Sequence, residues 1–334
     1  MIEFGLHIEE YNLSDNFVAC NQLHIVPTTR AISGSVAYYL EAAQAAATRK
    51  AYASDVREYL ALGGTLPATT ADVAEFLASS AHLSLATLKR RLAALADVHA
   101  SAGLADPTKS PVIRKLLRGI ARVHGIASTS ATPLKADALA RVVAAIPSDP
   151  TGLRDKALLL VGFACALRRS ELVALHVNDV NLIDGRSTLV VRRSKTDQFR
   201  RGLQLELPRL NGPLCPVAAL QAWLTVAGIE SGPVFRAINR WKQVGTAALS
   251  SAAVRSVVRL RARMAGIVIE GLSAHSLRSG FAVSALEAGI SLPAVQAVTR
   301  HQTLGGVAAY VRSVAPASMA RMPSLAVSGE TASQ

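Results

Sequence analysis

The feature that most constrains the fold of this chain is a set of apolar residues repeated at three- and four-residue steps. It is clearest in SLATLKRRLAALADVHASAG, where the repeat consists of Leu85, Leu88, Leu92, Leu95 and Val98. A helix collects such residues on one face, whereas a strand sends alternate residues to opposite sides. The segment is therefore predicted to form an amphipathic helix with a buried apolar face.

Three neighbouring segments show the same kind of pattern: ATRKAYASDVREYLAL, TTADVAEFLASS and SPVIRKLLRGIARVHG. The second opens with threonines suited to capping a helix, and the third ends at Gly125, a residue type that commonly closes one. These helices predict an all-helical domain over residues 31–124, after an extension over residues 1–30 without a clear period. Residues 125–133, GIASTSATP, are small and polar and end in proline, which is typical of a linker.

A second domain is predicted over residues 134–312, followed by a tail over residues 313–334. Its predicted helices are ADALARVVAAI, LRDKALLLVGFACAL, CPVAALQAWLTVAG, SAAVRSVVRLRARMAG, HSLRSGFAVSALEAG, SLPAVQAVTR and GGVAAYVR. Two segments have the pattern of strands, at residues 186–191 and 202–207, and the basic sequence RRSKTDQFRR between them suits a hairpin tip. The predicted fold class is mainly α with a small β-hairpin or sheet, an all-helical N-terminal domain preceding an α+β C-terminal domain.

Charge narrows the choice of partners. The 334 residues include 36 Lys and Arg against 23 Asp and Glu, a formal net charge of +13. A protein this basic usually has a polyanionic partner, most often nucleic acid, although a solvated basic surface would give the same balance. The basic residues predicted to bind DNA are Arg49, Lys50, Lys89, Arg90, Arg91, Lys115, Arg118, Arg122, Arg192 and Arg193. Taken singly, most of the helical ones are as well explained by a solvated helix face.

The cysteines and the apolar runs argue against a disulfide-rich secreted protein and against a membrane protein. Cys20, Cys165 and Cys215 are far apart in the sequence and form no CxxC pair, so neither a disulfide framework nor a zinc site is predicted. The N-terminus carries acidic residues and no long apolar run, which argues against a signal peptide. The most apolar stretch, Ala157 to Leu167, is too short to span a bilayer. A cytoplasmic protein without membrane contact is therefore expected.

Two segments of the second domain pair an arginine with a residue three positions away. In ALRRSELVAL, Arg168 follows a buried helix, and Glu171 is close enough on a helical turn to orient its guanidinium. In LSAHSLRSGFA, His275 and Arg278 share a helical face and could present an imidazole and a guanidinium to one phosphate. Either pair alone would also be common on a solvated surface.

A third segment, TRHQTLGGVAAYVR, contains His301 and, nine residues later, Tyr310. A short break between them is predicted at Gly305 and Gly306, from which a helix continues. Considered alone, Tyr310 would be a half-buried aromatic residue of that helix.

The order of these residues resembles the motif set of the tyrosine recombinases, the phage integrase family. Over roughly residues 34–312, ALRRSELVAL resembles the first arginine box of the family, LSAHSLRSGFA its His-x-x-Arg box and TRHQTLGGVAAYVR its final His-to-Tyr box. The hairpin lysine of the family falls on Lys195 in RRSKTDQ, and the helical domain resembles the core-binding domain. One position departs from the pattern, because Arg300 stands where the family commonly has glycine. Arg300 could alter the local turn or add a phosphate contact.

The resemblance implies a site-specific recombinase in which Tyr310 attacks a phosphodiester and forms a 3′-phosphotyrosyl intermediate. Arg168 and Arg278 would stabilise the developing charge, since a guanidinium group matches two phosphate oxygens. His275 and His301 would hydrogen-bond the same oxygens, and His275 is also a candidate to take the Tyr310 proton. The cationic surroundings would help Tyr310, whose ordinary pKa is about 10, to act as a nucleophile.

The resemblance also implies Lys195 as the general acid that protonates the leaving 5′-oxygen, with no metal and no cofactor. It implies a homotetramer on two double-stranded DNA sites, exchanging strands through a Holliday junction, with accessory proteins as further candidate partners. The expected location is the nucleoid of a bacterial cytoplasm. The two domains are expected to clamp duplex DNA, with the first reading sequence in the major groove.

Other functions fit part of the pattern. A DNA-binding protein of the same fold without strand exchange would explain the charge and the helices, but not the occupied catalytic positions. A type IB topoisomerase would use the same chemistry to relax DNA. A hydrolytic nuclease or phosphatase is less well supported, because it would usually show an acidic metal-binding cluster. The sequence leaves open the DNA site and the choice between integration, cointegrate resolution and dimer resolution.

Overall fold

The structure is a computed structural model that describes residues 34–125, 131–183, 186–192 and 202–311. It divides into two compact units between residues 129 and 130. This division falls within the predicted linker, residues 125–133, while the limits of the two domains stay a prediction. The predicted N-terminal extension and C-terminal tail lie outside the described residues.

The first unit is helical throughout its described part. Its helices are α1 (Gly34–Ala43), α2 (Ala46–Ala61), α3 (Thr70–Ser79), α4 (Leu85–Ser101) and α5 (Pro111–His124), with a 3₁₀ turn at Pro107–Lys109. The side chain of Thr69 caps α3 by accepting the Asp72 N–H, and that of Ser84 caps α4 by accepting the Thr87 N–H. The predicted helical character of this unit is confirmed. Helix α1 is an additional helix that was not predicted from the sequence.

The apolar face of α4 lies in the core of the first unit. Leu88, Leu92 and Leu95 are buried, while Leu85 and Val98 are half-buried towards the helix ends. Further buried members of this core are Tyr59, Val73, Phe76, Leu77, Ile113 and Ile120. The three- and four-residue spacing therefore correctly identified the packing face of this helix.

The second unit combines helices with two small antiparallel sheets. Its helices are α6 (Ala136–Ala144), α7 (Pro150–Ala164), α8 (Arg169–Val173), α9 (Pro216–Val226), α10 (Ser251–Met264), α11 (Ser276–Glu287), α12 (Leu292–Thr299) and α13 (Leu304–Val311). Its strands are β1 (Val180–Ile183), β2 (Arg186–Val191), β3 (Leu203–Glu206), β4 (Arg236–Ile238) and β5 (Val244–Ala248). The sheets have the orders β1-β2-β3 and β4-β5. The predicted hairpin of β2 and β3 is confirmed, whereas β1, β4 and β5 were not predicted.

Helix α7 runs through the core of the second unit. Asp149 caps it by accepting the Gly152 N–H at 2.7 Å, and Pro150 occupies its first turn, where a missing N–H costs nothing. Ala157, Leu158 and Leu159 are completely buried, so the helix has no solvated face along this part. The buried helix therefore fixes the position of the turn that follows it. Among the described residues, no helix has both the length and the apolar character needed to cross a membrane.

Candidate active site

The end of α7 sets the position of the first candidate arginine. The helix ends at Ala164, three residues before the predicted end at Leu167. In the turn that follows, Ala166 has a φ of 44°, in the left-handed region that side chains disfavour. Its carbonyl oxygen accepts a hydrogen bond from Arg278 Nη1 at 2.8 Å. The turn thus joins one candidate arginine to the segment that leads into the other, Arg168.

Glu171 holds Arg168 from inside the protein. Its Oε1 accepts a hydrogen bond from Arg168 Nη1 at 2.7 Å, and its Oε2 accepts one from the Arg168 backbone N–H at 2.9 Å. The Glu171 side chain is 1% exposed, whereas that of Arg168 is 20% exposed. The neighbouring Arg169 is exposed to solvent. Of the two adjacent arginines, Arg168 is therefore the one fixed at the site by a charge-assisted contact.

Helix α11 provides the second arginine and the first histidine. Arg278 is buried, and its guanidinium donates to the carbonyl oxygens of Ala166 and Thr299. His275 immediately precedes the helix and stays exposed, with its backbone N–H donated to Ser273 Oγ at 3.1 Å. The three-residue spacing therefore brings together one buried cation and one accessible imidazole, rather than two exposed groups side by side.

Helix α13 places Tyr310 beside both histidines. Tyr310 Oη lies 3.1 Å from His275 Nε2, and the Tyr310 and His301 ring centroids are 5.7 Å apart in an edge-to-face arrangement. The helix begins at Leu304, so the predicted break at Gly305 and Gly306 is wrong; both glycines lie in its first turn. A side chain on Gly306 would place Cβ 3.2 Å from His301 Cδ2, so glycine makes room for the imidazole ring.

Burial and nearby cations shift the pKa values of the titratable groups. Desolvation by the surrounding protein, followed by the positive charges of Arg278 and Arg168, lowers the pKa of His275 below 6.5, although part of this residue is exposed, and lowers that of His301 to about 4. Burial raises the pKa of Tyr310 above 10, although the same two arginines act in the opposite direction. Before DNA binds, the cationic surroundings therefore do not ionise Tyr310. The phenol instead faces an uncharged imidazole that can take its proton.

The site can therefore carry out nucleophilic attack on an anionic ester. It contains a phenol, an imidazole within hydrogen-bonding distance of that phenol, and two guanidinium groups fixed by carbonyl and carboxylate oxygens. Among the described residues, no cluster of three or more His, Cys, Asp or Glu is positioned to hold a metal ion.

Comparison with known proteins identifies the family. A model of the phage integrase family matches residues 133–315, more than half of the chain. This chain belongs to the phage integrase family. It is a tyrosine site-specific recombinase, a member of an enzyme class that breaks and rejoins DNA strands. The predicted family resemblance is thereby confirmed.

Relatives and solved structures agree with this assignment. An integrase/recombinase xerD homologue of Selenomonas ruminantium is 31% identical over 310 residues, which cover 90% of this chain and 91% of the relative. Several XerC tyrosine recombinases match over about half of their own length. The XerH recombinase bound to a palindromic difH substrate has a TM-score of 0.56 at 22% identity, over 78% of this chain and 74% of that chain. A lambda integrase tetramer bound to a Holliday junction gives 0.51 at 18%, over 85% and 73%. At these identities, the structural likeness shows the fold alone.

Two residues that shape the recombinase site were not recognised as doing so from the sequence. Thr299 Oγ1 lies 2.7 Å from His301 Nδ1 and also donates its hydrogen to the Val295 carbonyl at 2.7 Å. The side chain of Arg300 points inward and reaches Glu171. The departure from glycine at Arg300 was a visible signal, but the sequence could not show the direction of the side chain. Thr299 gave no signal, because its contact depends on the turn that follows.

The predicted residues of the β2–β3 hairpin are only partly described. Lys195 and Arg193 lie outside the described residues. Arg192 is exposed, and its Nε donates to Asp179 Oδ1. Its predicted contact with DNA would therefore have to coexist with an ion pair to a buried carboxylate.

The predicted DNA-binding residues of the first unit differ in their exposure. Those exposed to solvent are Lys50, Lys89, Arg90, Lys115, Arg118 and Arg122, whereas Arg49 is half-buried and donates to the Gln44 carbonyl. Arg90 also donates to both carboxylate oxygens of Asp55, at 2.8 and 2.9 Å. For these residues, DNA contact stays a prediction.

Arg91 has a different environment from the other basic residues of α4. Its side chain is 11% exposed, and its guanidinium carbon lies 4.9 Å from the centre of the Phe76 ring. Its Nη1 donates to Ser80 Oγ at 2.5 Å. The guanidinium therefore packs within the first unit, and contact of Arg91 with DNA stays a prediction.

Proposed function

We propose that this recombinase cleaves DNA by attack of Tyr310 Oη on a phosphodiester, with His275 taking the phenolic proton. The observation that carries this proposal is the 3.1 Å separation between Tyr310 Oη and His275 Nε2. A bond forms between Oη and phosphorus, the bond from phosphorus to the 5′-oxygen breaks, and a 3′-phosphotyrosyl link remains. Religation by another 5′-hydroxyl reverses these steps, so the covalent link preserves the energy of the broken bond.

The arginines would stabilise the charge that develops on the phosphate. Arg168 and Arg278 are both held by hydrogen bonds before DNA binds, so little reorganisation is needed when the transition state forms. Burial, with the nearby charges of Arg168 and Arg300, lowers the pKa of Arg278 to about 10, which still leaves it protonated at neutral pH. Both guanidinium groups would therefore be cationic when the phosphate enters.

His301 would act differently from His275. We assign the single hydrogen of the Thr299 hydroxyl to the Val295 carbonyl, 2.7 Å away, and in that arrangement Oγ1 accepts the hydrogen of His301 Nδ1. In the neutral ring, Nε2 then has no hydrogen to donate to a phosphate oxygen. The negative charge of a bound phosphate would favour protonation of this nitrogen and turn His301 into a donor.

Lys195 is proposed as the general acid that protonates the leaving 5′-oxygen. Its support is its sequence position, between the antiparallel strands β2 and β3, together with the family resemblance. Glu171 would serve as a supporting residue through its two hydrogen bonds to Arg168.

Double-stranded DNA is the proposed substrate, bound by a homotetramer at two sites. The net charge of +13 supports a polyanionic partner. The xerD homologue is related over most of its length, and the lambda integrase structure, a tetramer on a Holliday junction, shares the fold. The proposed location is the bacterial nucleoid, where such DNA would be found.

The covalent intermediate provides a direct test. The purified protein would be incubated with DNA from its own genomic neighbourhood, including nicked duplexes that trap the intermediate, and quenched with SDS. We expect a protease-sensitive DNA–protein adduct that disappears in Tyr310→Phe and persists in the control Tyr52→Phe, which removes a phenol from the first unit. Binding without an adduct on any of these DNAs would instead favour a DNA-binding protein, and relaxation of plasmids without a special site would favour a topoisomerase.

A further inference from the structure

Arg300 occupies a backbone conformation that side-chain-bearing residues rarely adopt. It ends α12 with φ 55° and ψ 43°, in the left-handed region, and directly precedes His301. Glycine takes this conformation without a steric penalty, whereas Arg300 must accept some strain. A residue retained under such strain is expected to provide a compensating contact through its side chain.

The Arg300 side chain makes its contacts inside the second unit. Its Nη2 donates to Glu171 Oε2 at 2.7 Å and to the Ala166 carbonyl at 3.3 Å. Its Nη1 donates to the carbonyls of Cys165 at 3.1 Å and Val298 at 3.2 Å. The side chain is only 8% exposed, and both of its terminal nitrogens donate to oxygen atoms of the protein.

Arg300 and Arg168 are linked through one carboxylate. Glu171 Oε1 accepts from the Arg168 guanidinium, while Oε2 accepts from the Arg300 guanidinium and the Arg168 backbone N–H. Arg168 Nη2 also donates to the Arg300 carbonyl at 3.4 Å. These contacts form a closed ring that connects the turn before His301 with the arginine at the site.

We propose that Arg300 is a positioning residue that fixes the Glu171 carboxylate, and through it the Arg168 guanidinium, for contact with the reacting phosphate. Without the Arg300 guanidinium, Glu171 would lose a charged donor, and the turn before His301 would lose two of its hydrogen bonds to the turn after α7. Glu171 could then rotate, and Arg168 would no longer be held in one orientation. This inference rests on the proposed role of Arg168 in cleavage.

The test compares single-turnover cleavage by Arg300→Gly and by the unsubstituted protein. Glycine suits the left-handed backbone, so this substitution removes the guanidinium without adding strain. We expect cleavage to slow by about ten- to a hundredfold, because small misplacements of catalytic groups have effects of this size. The Kd for DNA should change by less than about twofold, since only Arg168 positioning is affected.

Two further measurements separate positioning of Arg168 from a general structural defect. In a double-mutant cycle with Arg168→Lys, adding Arg300→Gly should cause little further loss, because both changes disturb the same guanidinium. A neutral methylphosphonate at the cleaved position should reduce the Arg300→Gly defect, since it demands less positive charge. If Arg300→Gly is too unstable, Arg300→Lys keeps a cation near Glu171 but cannot reproduce the four contacts, and the same comparisons apply.

The outcomes are distinct. Cleavage by Arg300→Gly at the unsubstituted rate would overturn the positioning role while leaving the proposed function intact. The positioning role would also be overturned if the losses of cleavage rate in Arg168→Lys and Arg300→Gly multiplied in the double variant and the Arg300→Gly defect were equal on phosphodiester and methylphosphonate DNA. The absence of an adduct with the unsubstituted protein would overturn both the proposed function and this inference.

Discussion

At the scale of single residues, the site depends on which groups carry protons before DNA arrives. Desolvation and the two arginines disfavour the charged forms of His275 and His301, and burial disfavours ionised Tyr310. Tyr310 and His275 are therefore both uncharged at neutral pH, within hydrogen-bonding distance of each other. Proton transfer between them is then part of the cleavage step rather than a prior equilibrium.

The pH dependence of cleavage follows from these pKa values. His275 must be unprotonated to act as a base, and its pKa is lowered below 6.5. We expect the single-turnover cleavage rate to fall on the acid side as the pH drops through the lowered pKa of His275. In His275→Gln, the maximal rate should fall by about 10²- to 10⁴-fold and the acid decline should disappear. An acid midpoint above 7, or an unchanged decline in the variant, would contradict a base role for His275.

The contact of Thr299 predicts the tautomer of His301. In Thr299→Val, Nδ1 loses its acceptor, while Thr299→Ser keeps the hydroxyl and serves as the matched control. One lost hydrogen bond is worth about 1 kcal/mol, so we expect cleavage to slow by roughly five- to tenfold in the valine variant alone. Long-range ¹H–¹⁵N correlation spectra should show His301 protonated at Nδ1 in the unsubstituted protein and a mixture of tautomers in Thr299→Val. A protonated Nε2 in the unsubstituted neutral ring would disprove this assignment.

The sequence revealed the reacting groups better than their supports. Arg168, His275, Arg278, His301 and Tyr310 lie in short motifs whose residue types and spacing can be recognised without knowing the fold. Thr299 and Arg300 precede His301 directly, but their side-chain directions follow from the left-handed turn at residue 300. That turn is stabilised by carbonyls of residues 165 and 166, more than 130 positions earlier. Such distant partners could not be predicted from local sequence.

At the scale of elements, the helices were easier to predict than the strands. Helix α4 has a long apolar repeat, whereas β1 (Val180–Ile183) has only four residues, two of them half-buried and two exposed, which is too few to show alternation in the sequence. The residues of strands β4 and β5 are exposed or half-buried, so their sequences show no clear alternation of apolar and polar residues. In contrast, β2 has a nearly continuous buried run, which the sequence RSTLVV made visible.

The packing of α11 beside the start of the second unit gives a prediction about stability. Leu134 N–H donates to the Ser276 carbonyl at 2.9 Å, and a Cβ on Gly280 would lie 1.9 Å from the Leu134 carbonyl oxygen. Gly280→Ala must therefore push α11 away, and we expect it to lower the free energy of unfolding by about 1–3 kcal/mol. Because α11 carries Arg278, cleavage should slow as well.

Gly119 offers the matched control, since it also lies within a helix, α5, but nothing is within 4 Å of its Cβ position. Gly119→Ala should raise stability by about 0.5–1 kcal/mol through the lower entropy of the unfolded chain. Denaturant unfolding followed by tryptophan fluorescence reports on the second unit, which holds Trp223 and Trp241, and circular dichroism reports on both units. Equal effects of the two substitutions would show that the Leu134 contact does not constrain α11.

At the scale of the whole molecule, the net charge of +13 overstates the cations available to DNA. Several basic side chains are already paired with carboxylates, such as Lys135 with Glu287 at 2.6 Å and Arg261 with Asp155 at 2.7 Å. Others are exposed and form no ion pair within the described part of the chain, notably Lys115, Arg118 and Arg122 on α5. The sequence predicted that the partner is negatively charged, but only the structure distinguishes basic side chains paired with carboxylates from those that are exposed and form no described ion pair.

Salt dependence tests whether the α5 cations contact phosphates. Each neutralised phosphate contributes about −0.9 to the slope of log K against log salt. Replacing Lys115, Arg118 and Arg122 with alanine should therefore flatten the slope by about 2.7 and weaken binding to all DNA sequences alike. Lys135→Ala removes a cation already paired with Glu287, so its slope should match that of the unsubstituted protein. Fluorescence anisotropy titrations on one duplex at several salt concentrations give both slopes. An unchanged slope in the triple variant would exclude α5 from the DNA interface, because counterion release reports only the charges that reach the phosphates.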